Sequence, residues 1–308
     1  MPEPLRVHLD TDIGGDTDDL CALALLLGSP EVEIVGITTV ADRDGGRLAF
    51  VRRALELAGR ADIPIASGAF GFMGGEPHTP GLNDERYWPG LSPAQLTSPG
   101  IALNLLQRNA ESGATIVAIG PYTNLGILET LRPGAFRDSP VVVMGGWHRP
   151  LPEGYPAWDH HRDYNVQADR VAARIVFERL NPLVVPIDIT AQVWVRRADI
   201  AALERGGPLS RLMARQAELY AADNRYIALS AEHDALPDDL LNFQHDPLAC
   251  AVAIGWDCAT IEASPLRVAE RDGSLLLEQS PGATPLRIVT GVDAEAFQSR
   301  WLETVTRV

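Results

Sequence analysis

Lysine is absent from all 308 residues, so the 26 basic side chains are all arginine. Without an ammonium group the chain can neither form a Schiff base nor hold a nucleotide with the lysine of a phosphate-binding loop. Cysteine is nearly as scarce. Cys21, Cys250 and Cys258 stand far apart among apolar residues, which gives neither a disulfide framework nor a zinc site and suits a reducing compartment. The longest apolar run, residues 20–27, is too short to cross a bilayer. No basic stretch followed by an apolar run opens the chain, so a cytoplasmic location is expected. Positive charge is also short overall. With 41 acidic residues and a net charge of −15, the surface repels phosphate backbones and anionic membranes, while acidic clusters attract divalent cations. Neither a nucleic acid nor a membrane is an expected partner.

What is present is a regular alternation. Short β-branched or apolar runs at residues 7–10, 34–39, 63–66, 115–119, 141–144 and 183–185 read as strands. Segments of helical period at 18–27, 47–57, 101–109, 124–131 and 171–177 fall between them. That order predicts parallel strands joined by crossover helices, an α/β fold with a doubly wound, mostly parallel sheet flanked by helices. Residues 200–242 read as helical and polar-faced; residues 263–289 alternate like a small antiparallel hairpin before a last helix at 294–304. Gly/Pro-rich stretches at 68–90 and 145–156 are long for simple connections and suit binding loops or lids. No linker or repeat interrupts the pattern, so one domain over residues 1–308 is expected.

The stretch from Asp10 through Asp12, Asp16 and Asp18 to Asp19 places five carboxylates within ten residues, where the first strand ends and a helix begins. Like charges this close repel unless a cation sits among them. In open α/β sheets ligands bind at the carboxyl ends of the strands, so position and composition agree. Hard oxygen ligands without nearby histidine or cysteine suit calcium or magnesium. Capping of the helix accounts for Asp16 or Asp18 as well as a ligand role does, but five acids exceed what a cap requires. Later, Gln244-His245-Asp246-Pro247 opens another helical stretch. Taken alone, Asp246 is a helix cap with proline at the first helical position, and His245 is a histidine of near-neutral pKa able to donate a proton.

The combination of motifs resembles the inosine-uridine-preferring nucleoside hydrolases. The Asp-rich loop running into Leu20-Cys21-Ala22-Leu23, then Gly36-Ile37-Thr38-Thr39-Val40, is similar to that family's amino-terminal signature. Gly120-Pro121-Tyr122-Thr123-Asn124-Leu125, Val143-Met144-Gly145-Gly146, Asp163-Tyr164-Asn165 and His245-Asp246-Pro247-Leu248-Ala249 follow in the family's order, so the resemblance covers roughly residues 7 to 255. It implies a Rossmann-like nucleoside hydrolase fold and calcium-dependent hydrolysis of a nucleoside's N-glycosidic bond. By position, Asp12, Asp19 and Asp246 would ligate calcium with their carboxylates and Val143 with its carbonyl. Asp12 would be the general base; Asp18 and Asn165 would hold the ribose hydroxyl beside the anomeric carbon. His245 would protonate the departing base. Thr123 and Asn124 are expected to cap the helix that follows them, and a homodimer or homotetramer is implied.

This sequence also departs from the family. Its first loop is two residues longer than the family's shortest form; Asp18 and Asp19 are taken as the closing acid pair because the helix follows them directly. Residues 41–44 read Ala-Asp-Arg-Asp where the family has an asparagine near the ribose. Asp163 stands where a glutamate is usual, and Ala157 where an asparagine is; in the family those two grip the ribose 5′-hydroxyl. Trp147, Trp158, His160, His161 and Arg162 can line that end of the pocket or pack as a lid with no part in specificity, and Tyr226 and Phe243 are candidates either for stacking on the base or for the core. The expected substrate is a nucleoside or other N-riboside with an altered 5′ end or an unusual base. A haloacid-dehalogenase-like phosphatase, which also opens with Asp-x-Asp, needs a lysine that this chain lacks. A nucleoside sensor that keeps the calcium cradle but turns over slowly is the alternative.

Overall fold

The computed structural model describes residues 3–75, 85–92 and 95–308. The six expected strands are β1 (Leu5–Thr11), β2 (Val32–Thr39), β3 (Ile65–Ser67), β4 (Thr115–Ala118), β5 (Val141–Met144) and β6 (Leu183–Val185). The five expected helices are α1 (Asp18–Gly28), α2 (Gly46–Leu57), α3 (Pro99–Glu111), α4 (Thr123–Leu131) and, after the short α5 (Tyr164–Ala168), α6 (Arg170–Arg179). Of the Gly/Pro-rich stretch 68–90, residues 76–84 lie outside the described residues. The stretch 145–156 holds no helix or strand.

Two regions depart from expectation. After β6 come α7 (Ile187–Thr190), β7 (Trp194–Arg196), α8 (Arg197–Arg205), α9 (Pro208–Asp223) and α10 (Tyr226–Ala231), and the region read as helical to residue 242 then ends in β8 (Leu240–Phe243). β8 pairs antiparallel with β7, Trp194 opposite Phe243. Four residues, three of them apolar, carry no period that separates a strand from a helical turn, so the pairing decides. α11 (His245–Ala253) follows, and then four strands: β9 (Ala259–Ser264), β10 (Leu266–Arg271), β11 (Ser274–Gln279) and β12 (Leu286–Val292), before α12 (Ala294–Val305). Only β10 and β11 form the expected hairpin. β12 joins the main sheet parallel to β6, and β9 closes that edge antiparallel to β12.

The sheet therefore has eight strands in the order β3-β2-β1-β4-β5-β6-β12-β9, the doubly wound arrangement. Its central strands β4, β5 and β6 are buried on both sides because both faces are covered there, whereas the edge strand β9 is mostly exposed. In β4, Val117 joins the core shared with Leu23, Leu25, Phe50 and Trp301, while Ile116 and Ala118 face the core of Leu106, Leu125 and Val176. Successive side chains of one strand thus serve opposite layers. Among the described residues no helix is long and apolar enough to cross a membrane.

The order of strands reverses between β1 and β4, and polar side chains bind the carboxyl ends together there. Thr123 and Asn124 do not cap α4, whose N-cap Tyr122 makes no side-chain cap bond. Thr123 donates to Asp169 at 2.7 Å instead. Asn124 donates to Asp10 at 2.7 Å and to the Thr39 carbonyl at 2.9 Å, and accepts the Ala69 N–H at 2.9 Å. On the other side of Asp10, Thr38 donates to the same carboxylate, and His8 joins Thr38 to Asn109. Replacing Asn124 by alanine leaves the buried Ala69 N–H without an acceptor, at a cost of about 1–3 kcal/mol, and takes one of two donors each from the Asp10 carboxylate and the Thr39 carbonyl. Asn124→Ala is expected to lower stability by about 1–3 kcal/mol, seen as a lower urea midpoint with an unchanged slope; a midpoint within error of wild type would refute this account of the strand ends.

Candidate functional site

At the carboxyl ends of β1, β4 and β5 lies a cavity of about 490 Å³, the size of a small-molecule site. Asp12, Asp16, Asp18, Asp19 and Asp246 line one part of it; Trp158, Tyr226 and His245 line another, with Asp163 and Asn165 also in the wall. The loop from β1 to α1 brings the first four acids in, and the start of α11 brings His245 and Asp246 beside them. Gly120 lets β4 end against this loop: a Cβ there would stand 2.7 Å from the Asp12 carboxylate and 2.9 Å from its backbone nitrogen. A second cavity of about 210 Å³, bordered by Arg53, Trp88 and Arg215, holds no carboxylate.

The acids have divided their tasks. Carboxylate oxygens of Asp18, Asp19 and Asp246 lie within 4.8 Å of one another, all three buried. Burial, and then their mutual repulsion, pushes all three well above the usual carboxylate range. Backbone N–H groups of Asp19 and Asp246 reach the two oxygens of Asp18, at 3.1 and 3.3 Å, and the Thr11 hydroxyl donates to Asp19. Asp12 is raised by burial and restrained by Arg47, whose guanidinium lies 3.7 Å from its carboxylate. A set of hard, buried oxygens repelling one another fits a divalent cation of the calcium or magnesium type. Asp159, His160 and His161 form another grouping of that kind, but the Asp159 carboxylate caps its own turn by accepting the His161 N–H.

Asp16 stands just before Thr17, the N-cap of α1. It accepts the Thr17 and Asp18 N–H groups, and Tyr220 and Asn242 donate to it at 3.0 and 2.9 Å. Asp246 is not a cap: Gln244 occupies the N-cap of α11, and Asp246 lies within the first turn. Val143 is buried in the middle of the sheet, opposite Ala118 and Val184, and its neighbour Met144 reaches the cavity.

Asp163 lines the wall with both oxygens engaged, accepting the Gly146 N–H at 2.5 Å and the Val166 N–H at 3.3 Å. Gly146 can offer that N–H because it and Gly145 turn the chain through positive φ, at 93° and 132°. Asn165 donates to the Ile119 and Met144 carbonyls at 2.9 and 3.2 Å. Of the Trp/His cluster, Trp158, His161 and Arg162 reach the cavity, whereas Trp147 packs on the buried His160 behind it. Asp42, in the segment that departs from the family, accepts from Thr39, Arg47 and Leu48 and so caps α2.

His245 differs from the near-neutral histidine expected from sequence. Burial, and then the Arg162 guanidinium, lower it to about 4, so it is uncharged at neutral pH. Thr190 lies 2.7 Å from its Nδ1, and the buried Phe243 stacks on its ring at 5.5 Å. Phe243 thus supports the histidine from behind. Tyr226 stands edge-on to Phe243.

Sequence reasoning passed over Arg47, Thr190 and Tyr220. Arg47 donates to the Ala41 and Ile13 carbonyls as well as pairing with Asp12. The signal was its place on the same helical face as the buried Val51, Ala54 and Leu55.

These environments set a pH dependence of stability. A buried carboxyl with a raised pKa binds a proton in the folded state that the unfolded chain, near 3.8, has already released, so stability falls as pH rises toward the folded value. Asp10 and Asp163 stand at about 7, and Asp18, Asp19 and Asp246 are raised well above 3.8. His8 and His245, lowered to about 3 and 4, act in the opposite sense only below about pH 6.5. Between pH 6.5 and 8 the chelated protein is therefore expected to lose melting temperature. A divalent cation should restore it by about 2.7 kcal/mol at a hundredfold excess over Kd, more at the higher pH. A chelated melting temperature that rose over this range, read by scanning calorimetry, would contradict the placement of the carboxylates.

The family model for inosine-uridine preferring nucleoside hydrolase matches residues 7–299. A pyrimidine-specific ribonucleoside hydrolase RihA of Klebsiella pneumoniae subsp. pneumoniae is 28% identical over 267 residues, covering 82% of this chain and 79% of that protein. The protein of the same description from Salmonella enteritidis is 32% identical over 226 residues, covering 68% and 69%. A plant nucleoside hydrolase, PpNRh1, superposes with a TM-score of 0.79 at 24% identity, over 98% of this chain and 99% of that one. An inosine-guanosine nucleoside hydrolase does so with 0.76 at 20%, over 98% and 99%. These structural likenesses establish the shared fold, and the match along the sequence goes further: the chain belongs to the inosine-uridine preferring nucleoside hydrolase family, hydrolases acting on N-glycosyl compounds.

Proposed function

We propose that this chain is a calcium-dependent N-ribohydrolase that cleaves the N-glycosidic bond of a ribonucleoside to ribose and free base. The observation that carries the reading is a single nucleoside-sized cavity that joins a cluster of buried carboxylates to an aromatic wall bearing His245. The pyrimidine-specific and inosine-guanosine descriptions of its relatives support nucleosides as the substrate class.

Asp12, Asp19 and Asp246, with the Val143 carbonyl, would hold calcium, which when bound anchors the ribose diol and makes a water more acidic. Asp12 takes the proton of the attacking water as general base, its carboxylate steadied by Arg47. Asp18 and Asn165 orient the ribose hydroxyl next to the anomeric carbon, and Asp163 borders the sugar while fixing the turn that precedes Asn165. As the bond breaks, positive charge grows on the ribose and negative charge on the base. The buried acids favour the first. Trp158 and Tyr226 flank the base, and with Thr190 2.7 Å from Nδ1 the Nε2 of His245 is the ring nitrogen left for it.

Release of reducing sugar from uridine, cytidine, inosine, adenosine and 5′-modified nucleosides tests the reading. Wild type with calcium is expected to cleave at least one of them and to lose that activity on stringent chelation. Asp12→Ala should fall by roughly 10²–10⁴-fold, the worth of a general base. Binding of calcium and nucleoside with no cleavage by wild type would replace the hydrolase with a nucleoside sensor.

A further inference from the structure

The cavity holds two arginines with opposite surroundings. Arg47 is buried and occupied by two carbonyls and Asp12. Arg162 is exposed at the wall, with its guanidinium 5.2 Å above the Trp158 ring, and it has no carboxylate partner among the described residues. In a chain where most arginines near an acid are paired with it, an unpaired guanidinium lining the substrate cavity stands out. Its neighbours fix which part of the cavity it serves. Trp158 lies edge-on to Phe243 at 5.0 Å and 6.4 Å from His245, and Phe243 meets Tyr226 at 5.6 Å. Arg162 thus belongs to the aromatic wall that can take the flat face of a base.

We propose that Arg162 is a catalytic and specificity-determining residue that hydrogen-bonds an exocyclic oxygen of the departing base. The assignment deepens the N-ribohydrolase reading and rests on it. A guanidinium has five N–H donors and no acceptor. An oxo group satisfies it, whereas the amino group of adenine or cytosine at the same place would set donor against donor. When the C1′–N bond breaks, its electron pair stays on the base, and in an oxo base that charge spreads to the exocyclic oxygen, where the guanidinium meets it. The hydroxyl of water bonds to C1′ and its proton passes to Asp12; the base takes its proton from solvent, and no redox partner is involved. Stacking on Trp158 holds the fork flat and in place without a carboxylate that would compete for it.

Two nucleoside pairs isolate the exocyclic group: inosine against adenosine, and uridine against cytidine. The calcium-loaded wild type is expected to prefer the oxo member of at least one pair by about tenfold or more in kcat/KM, the worth of a hydrogen bond to a charged group. In Arg162→Ala that ratio should collapse toward one, with partial rescue in Arg162→Gln. A structural role alone would lower both members alike and leave the ratio standing, which would overturn the assignment. So would a wild-type preference for inosine 5′-monophosphate over inosine that vanishes in Arg162→Ala, since that would place the guanidinium at the sugar's 5′ end. If wild type cleaves no N-riboside, the parent reading fails too; cleavage by wild type with ratios untouched by the substitution removes only the role of Arg162.

Discussion

Repulsion among buried carboxylates governs the active end of this molecule. With oxygens within 4.8 Å, each ionised pair among Asp18, Asp19 and Asp246 costs about 3–4 kcal/mol at an effective dielectric of 20. A domain stable by about 5–15 kcal/mol cannot carry several such pairs uncompensated. Protonation relieves them at low pH. At neutral pH the compensation must come from donors and cations, and the surroundings of the loop are arranged to supply both. α1 and α11 start at the cluster, so two helix amino termini direct N–H groups and positive partial charge at it. Thr11, Arg47 and the Asp246 N–H supply the rest of what the protein itself provides.

That constraint explains why so much of the polar interior converges on the strand ends. Asp10 is only two residues from Asp12, yet it faces away into a chain of Thr38, His8, Asn109 and Asn124. One of its oxygens has no partner and its pKa stands near 7, so burial and the neighbouring Asp12 charge keep it partly protonated. Asp16 is likewise drawn off by Tyr220 and Asn242. Of the five acids from Asp10 to Asp19, Asp10 and Asp16 are held by the surrounding fold, and Asp16 still lines the cavity beside Asp12, Asp18 and Asp19. The helix and strand that supply Tyr220 and Asn242, α9 and β8, come from a part of the chain more than two hundred residues away, so the loop's shape depends on the completed fold.

The alternation of strands and helices made the doubly wound sheet legible in the sequence, and the crowding of Asp12, Asp18 and Asp19 at a strand end made the site legible. Both signals are local: a period of two or 3.6, and a density of charge. What was not legible depends on partners. Leu240–Phe243 is a strand only because Trp194–Arg196 lies beside it, and β12 belongs to the main sheet only because β6 is its parallel neighbour. Asn124 had the residue type and position of a cap, but three distant groups compete for its amide and win. Asp163 and Asp42 appeared in sequence as altered ligand positions, and their carboxylates are largely taken up by backbone N–H groups.

Acidic composition alone would suggest a cavity of one sign, and the structure instead separates two. Burial raises the carboxylates on one side, while on the other it lowers His245, whose charged form would stand beside the Arg162 guanidinium. A charged imidazole there would be attracted to the acids across the cavity and could be drawn out of line; a neutral one, held by Thr190 and stacked on Phe243, keeps its direction. Arg162 is a permanent positive charge on that wall, beside Trp158 and independent of pH over the working range. Cleavage of an N-glycosidic bond separates charge in the same sense, positive toward the sugar and negative toward the base. A site whose dipoles and charges are already set in that direction need not reorganise when the bond breaks, and this is where the largest share of an electrostatic rate enhancement arises.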